Sequence, residues 1–437
     1  MFRQDFSRAD HRLRGAATAV LVGMSCGSAM AQPSLTPSGP PTSPSGRFGV
    51  RTEIKSLPYI VTIPGSYYLS ASLSPAIAGD GITIMTSNVT IDLMGFTLAA
   101  APGASNGIYV PPPPPGTEIK NIRVENGFVT GWGAAGVDLY NADNNHIFNV
   151  NATENGGDGI RVGNLSDLND VIACCNLFNG VTTKERCKLS NCLACCNSMN
   201  GVVTVGNCHV DNTVAILNGF NGLALGLRAV VIGCVANDNS LSGVFVAGAS
   251  RVTDCTADGN GFGSATGDKN GFTIAGGGNI LGGCAAHNNF NNGFEGLPGP
   301  GGSSVGECIA VMNGFGSIPG GGNGFKDFRS VMQCTANNNF GNGIQTESGG
   351  HIVRNTCESN GFLGIAVFAD GNVVENNNVV SNPAGGIAVG VGGNLVAANR
   401  AHANGLPQYS FAAGNTTGPI FGPGVLAAGA ATNNVIY

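Results

Sequence analysis

A row of charged and amide side chains recurs at one position of a repeated pattern, Asn-Gly followed by an apolar residue. The position after the apolar residue carries Thr273, Glu295, Lys326, Gln345 and Ala366 on successive repeats. Strand side chains two residues apart share a face, and paired strands lie about 4.8 Å from each other. Carboxylate, ammonium and amide groups at this spacing could hydrogen-bond the hydroxyl groups of a sugar. The predicted ligand-binding face consists of Asp268, Lys269, Glu295, Lys326, Gln345 and Glu347.

This face has a second interpretation, a solvated surface with a single ion pair, because exposed ion pairs are common and contribute little. Asp327 would point inward if its strand were regular, so it is not included in the face.

Groups typical of catalysis are sparse. The histidines beyond residue 31 fall on separate repeats, at His146, His209, His287, His351 and His402. No Ser-His-Asp spacing, glycine-rich phosphate loop or HExxH stands out. The sequence therefore predicts no cofactor and favours a protein without catalysis.

The elements that would position the face belong to a long repeat. An asparagine recurs with spacings of 18 to 29 residues, and most repeats hold three short apolar segments typical of strands. A period of this length indicates a solenoid, and three strands per turn predict an all-β parallel β-helix of about 12–15 coils with a cap at each end. The recurring asparagines are Asn155, Asn179, Asn197, Asn218, Asn239, Asn260, Asn289, Asn313, Asn339, Asn360, Asn382 and Asn404.

Two further columns precede the asparagine. Three positions before it the residue is usually alanine, which predicts an inward position where coils leave little room. Five positions before it the residue is usually cysteine or asparagine. Positions five and three before the asparagine share a strand face, so this second column is also predicted to point inward. Buried cysteine packs as a small apolar residue, so the cysteine column is interpreted as scaffold. The recurring asparagines themselves are predicted to form a ladder in which stacked side-chain amides bond between coils. The members of the cysteine column are Cys174, Cys192, Cys234, Cys255, Cys284, Cys308 and Cys334, followed by Asn355, Asn377 and Asn399.

Residues 174–209 are unusually rich in cysteine. Cys192-x-x-Cys195 has no second CxxC at a suitable distance, so no metal site is predicted. Cys187 and Cys208 each lie ten residues before the asparagine of their coil, which places them on neighbouring coils. In an exported protein this arrangement predicts a disulfide between them.

The first residues are typical of export. Residues 1–31 combine arginines, a short apolar stretch and Ala29-Met30-Ala31, which predicts a signal peptide cleaved after Ala31 and a secreted, periplasmic or cell-surface protein. Residues 32–49 form a Pro/Ser/Gly linker, and the β-helix domain is expected over 50–437, with caps at 50–100 and 405–437. No later segment is apolar enough to span a membrane.

Net charge excludes one class of partner. Of 20 basic and 26 acidic residues, residues 1–31 hold four and two, which leaves 16 and 24 and a net charge of −8. This balance argues against nucleic acid, whose phosphates require a basic face.

The pattern Cys/Asn-x-Ala-x-x-Asn followed by Asn-Gly-apolar resembles the right-handed parallel β-helix repeat of the pectate-lyase-like superfamily. Ile63–Leu69 and Asn88–Phe96 resemble the opening of many exported bacterial members. The resemblance covers roughly residues 55–437 and implies the fold, whereas this superfamily includes lyases, hydrolases, epimerases and adhesins.

The catalytic motifs of the superfamily are not matched. The chain has no adjacent Asp-Asp pair of the polygalacturonase type. Acidic residues such as Asp238, Asp254 and Asp258 are dispersed, without the basic neighbours of a pectate-lyase calcium site.

The sequence thus favours an exported β-helix scaffold that binds carbohydrate or belongs to the cell envelope or matrix, with polysaccharide as its expected partner. The alternative is a polysaccharide lyase or glycoside hydrolase acting at Glu295, Lys326 and Glu347.

Overall fold

A computed structural model describes residues 51–263, 266–299, 301–316, 321–347, 349–421 and 434–436. The predicted signal peptide and linker lie outside this part of the chain. The described residues form strands and turns without any helix, and every strand pairing is parallel. The predicted parallel β-helix is confirmed, with about sixteen turns, slightly more than the 12–15 expected.

Each regular coil contributes one short strand to each of three sheets. The first sheet has sixteen strands. They are Tyr59–Val61, Ile82–Ile84, Ile108–Tyr109, Val137–Leu139, Ile160–Val162, Val181–Glu185, Val202–Gly206, Leu223–Leu227, Val244–Val246, Phe272–Ile274, Phe294–Gly296, Phe325–Lys326, Ile344–Thr346, Leu363–Val367, Gly385–Val389 and Tyr409–Phe411.

The second sheet follows the first along each coil. Its strands are Thr52–Ile54, Gly65–Leu69, Val89–Asp92, Ile122–Thr130, His146–Thr153, Asp167–Asn169, Lys188–Ser190, His209–Asp211, Val230–Ile232, Arg251–Thr253, Ile280–Gly282, Ser304–Gly306, Ser330–Met332, His351–Val353, Val373–Glu375, Leu395–Ala397 and Thr416–Thr417.

The third sheet completes the coil and is joined to the second by the two long strands Ile122–Thr130 and His146–Thr153, which run through both. A separate two-stranded sheet pairs Ile119–Lys120 with Ala142–Asp143. The other strands of the third sheet are Thr97–Ala99, Ile172–Cys174, Leu193–Cys195, Val214–Ile216, Val235–Asn237, Thr256–Asp258, Ala285–His287, Ile309–Val311, Thr335–Asn337, Thr356–Glu358, Asn378–Val380, Arg400–His402, Asn434–Ile436 and Ile420–Phe421.

The asparagine ladder exists, with one correction of register. Asn176, not Asn179, stands between Asn155 and Asn197, so the first two spacings are both 21 residues. Its Oδ1 accepts the backbone N–H and the side-chain amide of Asn155 at 3.1 and 2.9 Å. Asn179 belongs to a second ladder at the Asn-Gly motif, where it donates to Asp158 and accepts from Asn200. Asn176 and Asn179 both fit the repeat, and the prediction that Asn179 belongs to the first ladder is wrong.

The glycine of each Asn-Gly is required by close approach between coils. A Cβ on Gly222 would lie 2.6 Å from Asn239 Nδ2 and 2.7 Å from the carbonyl oxygen of Gly243. Because these atoms belong to the next turn, any larger residue would separate the coils. The tight corners with positive φ are instead mostly occupied by non-glycine residues such as Asp238 and Asn288.

The inward columns form the core. The alanine column gains Ala173, which pairs with Ala152 and Ala194, once the register is corrected. On the first sheet the rings of Phe272, Phe294 and Phe325 stack on successive coils, with centroids 4.7 and 4.9 Å apart. Stacking equivalent side chains in this way buries each one against its neighbours above and below.

The cysteine column is inward and buried from Cys234 to Cys334 and continues into Asn355, as predicted. The backbone N–H of Cys234 donates to Cys255 Sγ at 3.4 Å, so the sulfur occupies the acceptor position that Asn355 Oδ1 fills for Cys334. The prediction of Cys174 in this column is wrong. Val171 occupies the column position on the coil before Cys192, and its carbonyl oxygen accepts the backbone N–H of Leu193 at 2.8 Å.

The predicted Cys187–Cys208 disulfide is wrong in the structure. The two cysteines are neighbours on adjacent coils, but both are free, buried thiols. Cys208 Sγ accepts the backbone N–H of Cys187 at 3.4 Å and donates to the carbonyl oxygen of Lys184 at 3.3 Å. The disulfide joins Cys174 and Cys195, which pair in register on the third sheet with Cα atoms 4.5 Å apart.

No helix among the described residues is long and apolar enough to cross a membrane.

Candidate functional site

The outward side chains of the first sheet form one continuous row along the solenoid. We call it the outward row; its register is Tyr109, Asp138, Arg161, Thr182, Val203, Ala224, Phe245, Thr273, Glu295, Lys326, Gln345 and Ala366. The last five members are in the order that the sequence predicts. Charged groups gather toward both ends of the row, with Tyr109 at the N-terminal end, and Thr182, Val203, Ala224, Phe245 and Thr273 separate them.

The C-terminal cluster is centred on Glu295. Its Oε1 accepts from Lys326 Nζ at 2.6 Å, and its Oε2 accepts from the side-chain amides of Asn270 and Asn292 at 2.8 and 3.2 Å. Partial burial acts to lower the pKa of Lys326, but the hydrogen bond and charge of Glu295 raise it overall. Glu295 is thereby held rigidly, with both of its oxygens engaged.

Gln345 extends this cluster by one coil. Its Oε1 accepts from Asn342 Nδ2 at 3.1 Å, and its Nε2 donates to the exposed Glu347 at 3.3 Å. Asp268 is exposed beside the cluster, and desolvation, together with the charge of Glu295, raises its pKa. Glu295, Lys326, Gln345, Glu347 and Asp268 thus lie together, as the sequence predicts.

Asp327, which the regular alternation placed inward, joins this cluster instead. Its strand ends at Lys326, and Asp327 adopts a positive φ of 61° that breaks the alternation. Its Oδ1 accepts the backbone N–H of Glu347 at 3.0 Å. Burial and the Glu347 charge raise the pKa of Asp327 to about 6.

Asp327 and Glu347 line a cavity of about 510 Å³ at the edge of the first sheet. The rest of the wall comes mainly from the glycine-rich stretches 296–299 and 301–303, with Arg329 beside them. Arg329 Nη1 donates to the carbonyl oxygen of Gly301 at 3.3 Å. The cavity therefore offers two carboxylates and several backbone groups to a polar ligand.

Lys269 does not lie with the rest of the predicted face. Its Nζ donates to the carbonyl oxygen of Gly263 at 2.9 Å and sits 4.7 Å from the ring centroid of Phe290. The side chain is therefore turned away from Glu295 toward the corner that precedes the first sheet.

A second cluster at the N-terminal end of the outward row was missed by the sequence reasoning. Arg161 Nη1 bonds Asp138 at 3.0 Å and its Nε lies 3.4 Å from Asp158. The Arg161 guanidinium and the Lys184 ammonium lie 4.6 and 4.2 Å from the ring centroid of Tyr140. This N-terminal cluster combines an aromatic ring, two cations and two carboxylates.

Electrostatics in the N-terminal cluster is set by burial. Burial raises the pKa of Asp138 despite the Arg161 guanidinium and the backbone N–H of Tyr140. Burial also raises the pKa of Tyr109, and the charges of Asp138 and Asp80 add to that shift. The signal was present in the sequence, since Gly136-Val137-Asp138 and Gly159-Ile160-Arg161 share the Gly-apolar-x frame of Glu295.

Among the described residues, no group of three or more His, Cys, Asp or Glu side chains is placed to hold a metal ion. His146 and His209 instead lie on the second sheet, 4.0 Å from Asp167 and 3.6 Å from Asp211 respectively.

Comparison with known proteins finds solved structures only. No family model matches the chain, and no curated protein does. The mannuronan C-5 epimerase AlgE6 A-module of Azotobacter vinelandii is 16% identical, with a TM-score of 0.39 over 86% of this chain and 90% of that one. The Dettilon tailspike protein is 10% identical, with a TM-score of 0.39 over 60% and 57% of the two chains. Pectate lyase Pel9A is 14% identical, with a TM-score of 0.31 over 72% of each. Likeness at this level says nothing about activity, which has to be argued from the residues of this chain.

Proposed function

We propose that this chain is an exported carbohydrate-binding scaffold, in which an extended polysaccharide lies along the outward row without being cleaved. The observation that carries the proposal is the presence of two polar clusters in one continuous row. Ten coil steps of about 4.8 Å separate Tyr109 from Gln345, so the row is roughly 48 Å long. A pyranose unit of an extended glycan advances by a similar distance, so one coil can face about one sugar.

The groups in the row suit hydroxyl recognition. Glu347 and Gln345 offer acceptors and donors at the C-terminal cluster, while Lys184 and Tyr140 offer a donor and a ring at the N-terminal cluster. Their partners fix several of these side chains before any ligand binds, and such preorganisation lowers the entropy cost of binding. Between the clusters, the short side chains of Thr182, Val203 and Ala224 leave room for a chain to lie flat as far as Phe245, whose ring the chain would contact.

Charge selects the class of polysaccharide. In the C-terminal cluster the carboxylates Asp268, Glu295, Asp327 and Glu347 outnumber the single ammonium of Lys326, which is already paired. A polyuronate would meet repulsion there, since like charges that are brought together without compensation cost free energy. The proposed ligand is therefore a neutral polysaccharide.

A second candidate, catalysis at the cavity, is favoured by one observation. Asp327 has a pKa raised to about 6 and faces the same cavity as Glu347. A carboxyl group whose raised pKa lets it hold a proton near neutral pH, placed beside a second carboxyl group, is an arrangement that glycosidases use. Glu295 is a poor candidate for general base, because both its oxygens are engaged by Lys326, Asn270 and Asn292.

One experiment separates the two functions. The protein is screened on an array of neutral and acidic polysaccharides, and each ligand that binds is incubated with it and analysed for reducing or unsaturated ends. We expect binding of a neutral polysaccharide without release of products. Product release that Asp327→Asn abolishes would establish catalysis, and retention of acidic polysaccharides alone would contradict the charge argument.

A further inference from the structure

An exposed apolar ridge runs along the corner between the third and the first sheet. It is built from the one or two residues that follow ladder asparagines, in the sequences Asn-Leu-Phe, Asn-Gly-Phe and Asn-Phe. Six of these side chains are 46% to 62% exposed, although each is large and apolar. This corner ridge comprises Leu177, Phe178, Phe262, Phe315, Phe340 and Phe362.

Toward the C-terminal end the ridge is aromatic and continuous. Phe315 lies 4.8 Å from Phe340 and 6.4 Å from Phe262, measured between ring centroids. Phe262 also packs edge-on against Phe290, at 5.5 Å. These contacts between coils hold the rings in place while leaving much of their surface in solvent. Exposed aromatic surface in a soluble protein commonly marks a place of interaction.

The corner ridge adjoins the outward row directly. Phe290, which packs against Phe262 of the ridge, lies 4.7 Å from Lys269 Nζ, and the next residue, Asn270, bonds Glu295 through its Nδ2 at 2.8 Å. Phe340 and Gln345 likewise belong to one coil, five residues apart. A ligand that contacts the C-terminal cluster therefore has a line of phenyl rings along one side.

We propose that the corner ridge is the stacking platform of the polysaccharide site, on which the apolar faces of sugar rings pack while their hydroxyl groups reach the outward row. This inference rests on the proposed function and adds the class of sugar. A pyranose offers a flat apolar face when its hydroxyl groups are equatorial and its axial positions carry hydrogen. The ridge therefore selects β-linked, gluco-configured neutral polysaccharides over those whose axial hydroxyl groups interrupt that face.

The shape of the ridge favours this occupant over a protein. It is one or two residues wide, and two residues after Phe290 the chain reaches Asn292, whose amide bonds the Glu295 carboxylate at 3.2 Å. A stable protein interface needs a broad, contiguous patch with an apolar centre. A sugar, in contrast, presents an apolar face and a polar rim at the same scale as the ridge and the row.

The test measures affinity for a soluble β-linked glucan and for cello-oligosaccharides by calorimetry. Covering about 60 Å² of aromatic surface corresponds to about tenfold in affinity, so Phe340→Ala/Phe362→Ala should weaken binding by roughly that factor or more. Phe340→Leu/Phe362→Leu keeps apolar bulk for folding but removes the flat ring, and it should weaken binding severalfold. The matched control is Phe148→Ala, an exposed phenylalanine on a strand that runs through the second and third sheets, which should leave affinity within twofold.

The outcomes separate this inference from the proposed function. If Gln345→Ala weakens glucan binding while both ridge variants bind like the wild type, the stacking platform is refuted and the polysaccharide site stands. Equal affinity for a mannan with axial hydroxyl groups would also overturn the choice of sugar. If the wild type binds no neutral polysaccharide, both proposals fail together. Self-association of the wild type that the ridge variants lose, seen by sedimentation, would assign the ridge to a second copy of the chain and overturn the inference.

Discussion

Replacing Asn218 by alanine tests the ladder that holds the coils in register. The Asn218 side chain is buried and makes four hydrogen bonds to neighbouring coils. Its Nδ2 donates to the carbonyl oxygen of Ala194 and to Asn239 Oδ1, at 3.1 and 2.9 Å. Its Oδ1 accepts the backbone N–H and the side-chain amide of Asn197, at 3.1 and 3.0 Å. The backbone bond from Asn218 to Asn239 would survive the substitution.

The expected loss follows from these contacts. Four bonds at a net value of about 0.5–1.5 kcal/mol each correspond to about 2–6 kcal/mol of unfolding free energy, and the buried backbone N–H of Asn197 left without a partner favours the upper half of that range. Asn218 does not have a positive φ, so alanine adds no backbone strain there. Because coils contact only their neighbours, the array should open first at the substituted coil.

The assay is guanidinium unfolding followed by circular dichroism, with proteolysis to locate the opening. The matched control is Asn337→Ala on the outer side of the third sheet, where the amide oxygen has no hydrogen-bond partner among the described residues. The control should change stability by less than about 0.5 kcal/mol. A loss below about 1 kcal/mol for Asn218→Ala would refute the argument that the ladder stabilises the stack.

Three further predictions concern titration and sulfur chemistry. Asp327 has a pKa of about 6 in the folded chain and about 3.9 in the unfolded chain, so the folded state holds its proton more tightly. Its contribution to the free energy of unfolding is therefore complete below about pH 4 and is lost as pH rises through 6. Asp327→Asn, which tolerates the positive φ, should therefore raise Tm relative to wild type more at pH 7 than at pH 4; an equal difference at both would contradict the assignment. The buried thiols of the cysteine column should resist maleimide until the protein unfolds, as should Cys357 of the alanine column, whose pKa burial raises; labelling of the column thiols in the native state would mean that the column faces outward. Peptide mapping without reduction should recover a Cys174–Cys195 linkage, whereas a Cys187–Cys208 linkage would restore the original expectation.

The regular part of the fold could be predicted because one period repeats it many times. Each coil is a separate sample of the same pattern, so the alanine and cysteine columns emerge from simple alignment on the asparagine. The same method failed at Asn179, where an asparagine of the second ladder sits three residues after Asn176. Both residues satisfy the pattern, and only the hydrogen bonds between coils distinguish them.

The candidate site was less predictable, because it depends on breaks in the pattern. Asp327 reaches the cavity through a positive φ that alternation does not anticipate. Lys269 follows a loop and turns to Phe290, a contact between coils that no local spacing encodes. Asp138 and Arg161, in contrast, obey the repeat, and extending the outward row to earlier coils would have located them.

The most direct test of the account is the dependence of binding on ligand length. Affinity for a neutral β-linked glucan is measured for the wild type, for Lys184→Ala in the N-terminal cluster and for Gln345→Ala in the C-terminal cluster, with the exposed Arg251→Ala of the second sheet as control. A polymer that spans both clusters gains affinity from each, so either cluster variant should weaken it, and Arg251→Ala should not. Tetrasaccharides are too short to reach both clusters, so each substitution should weaken their binding only at its own cluster. Polymer binding that neither cluster variant changes would contradict the claim that the glycan lies along the outward row.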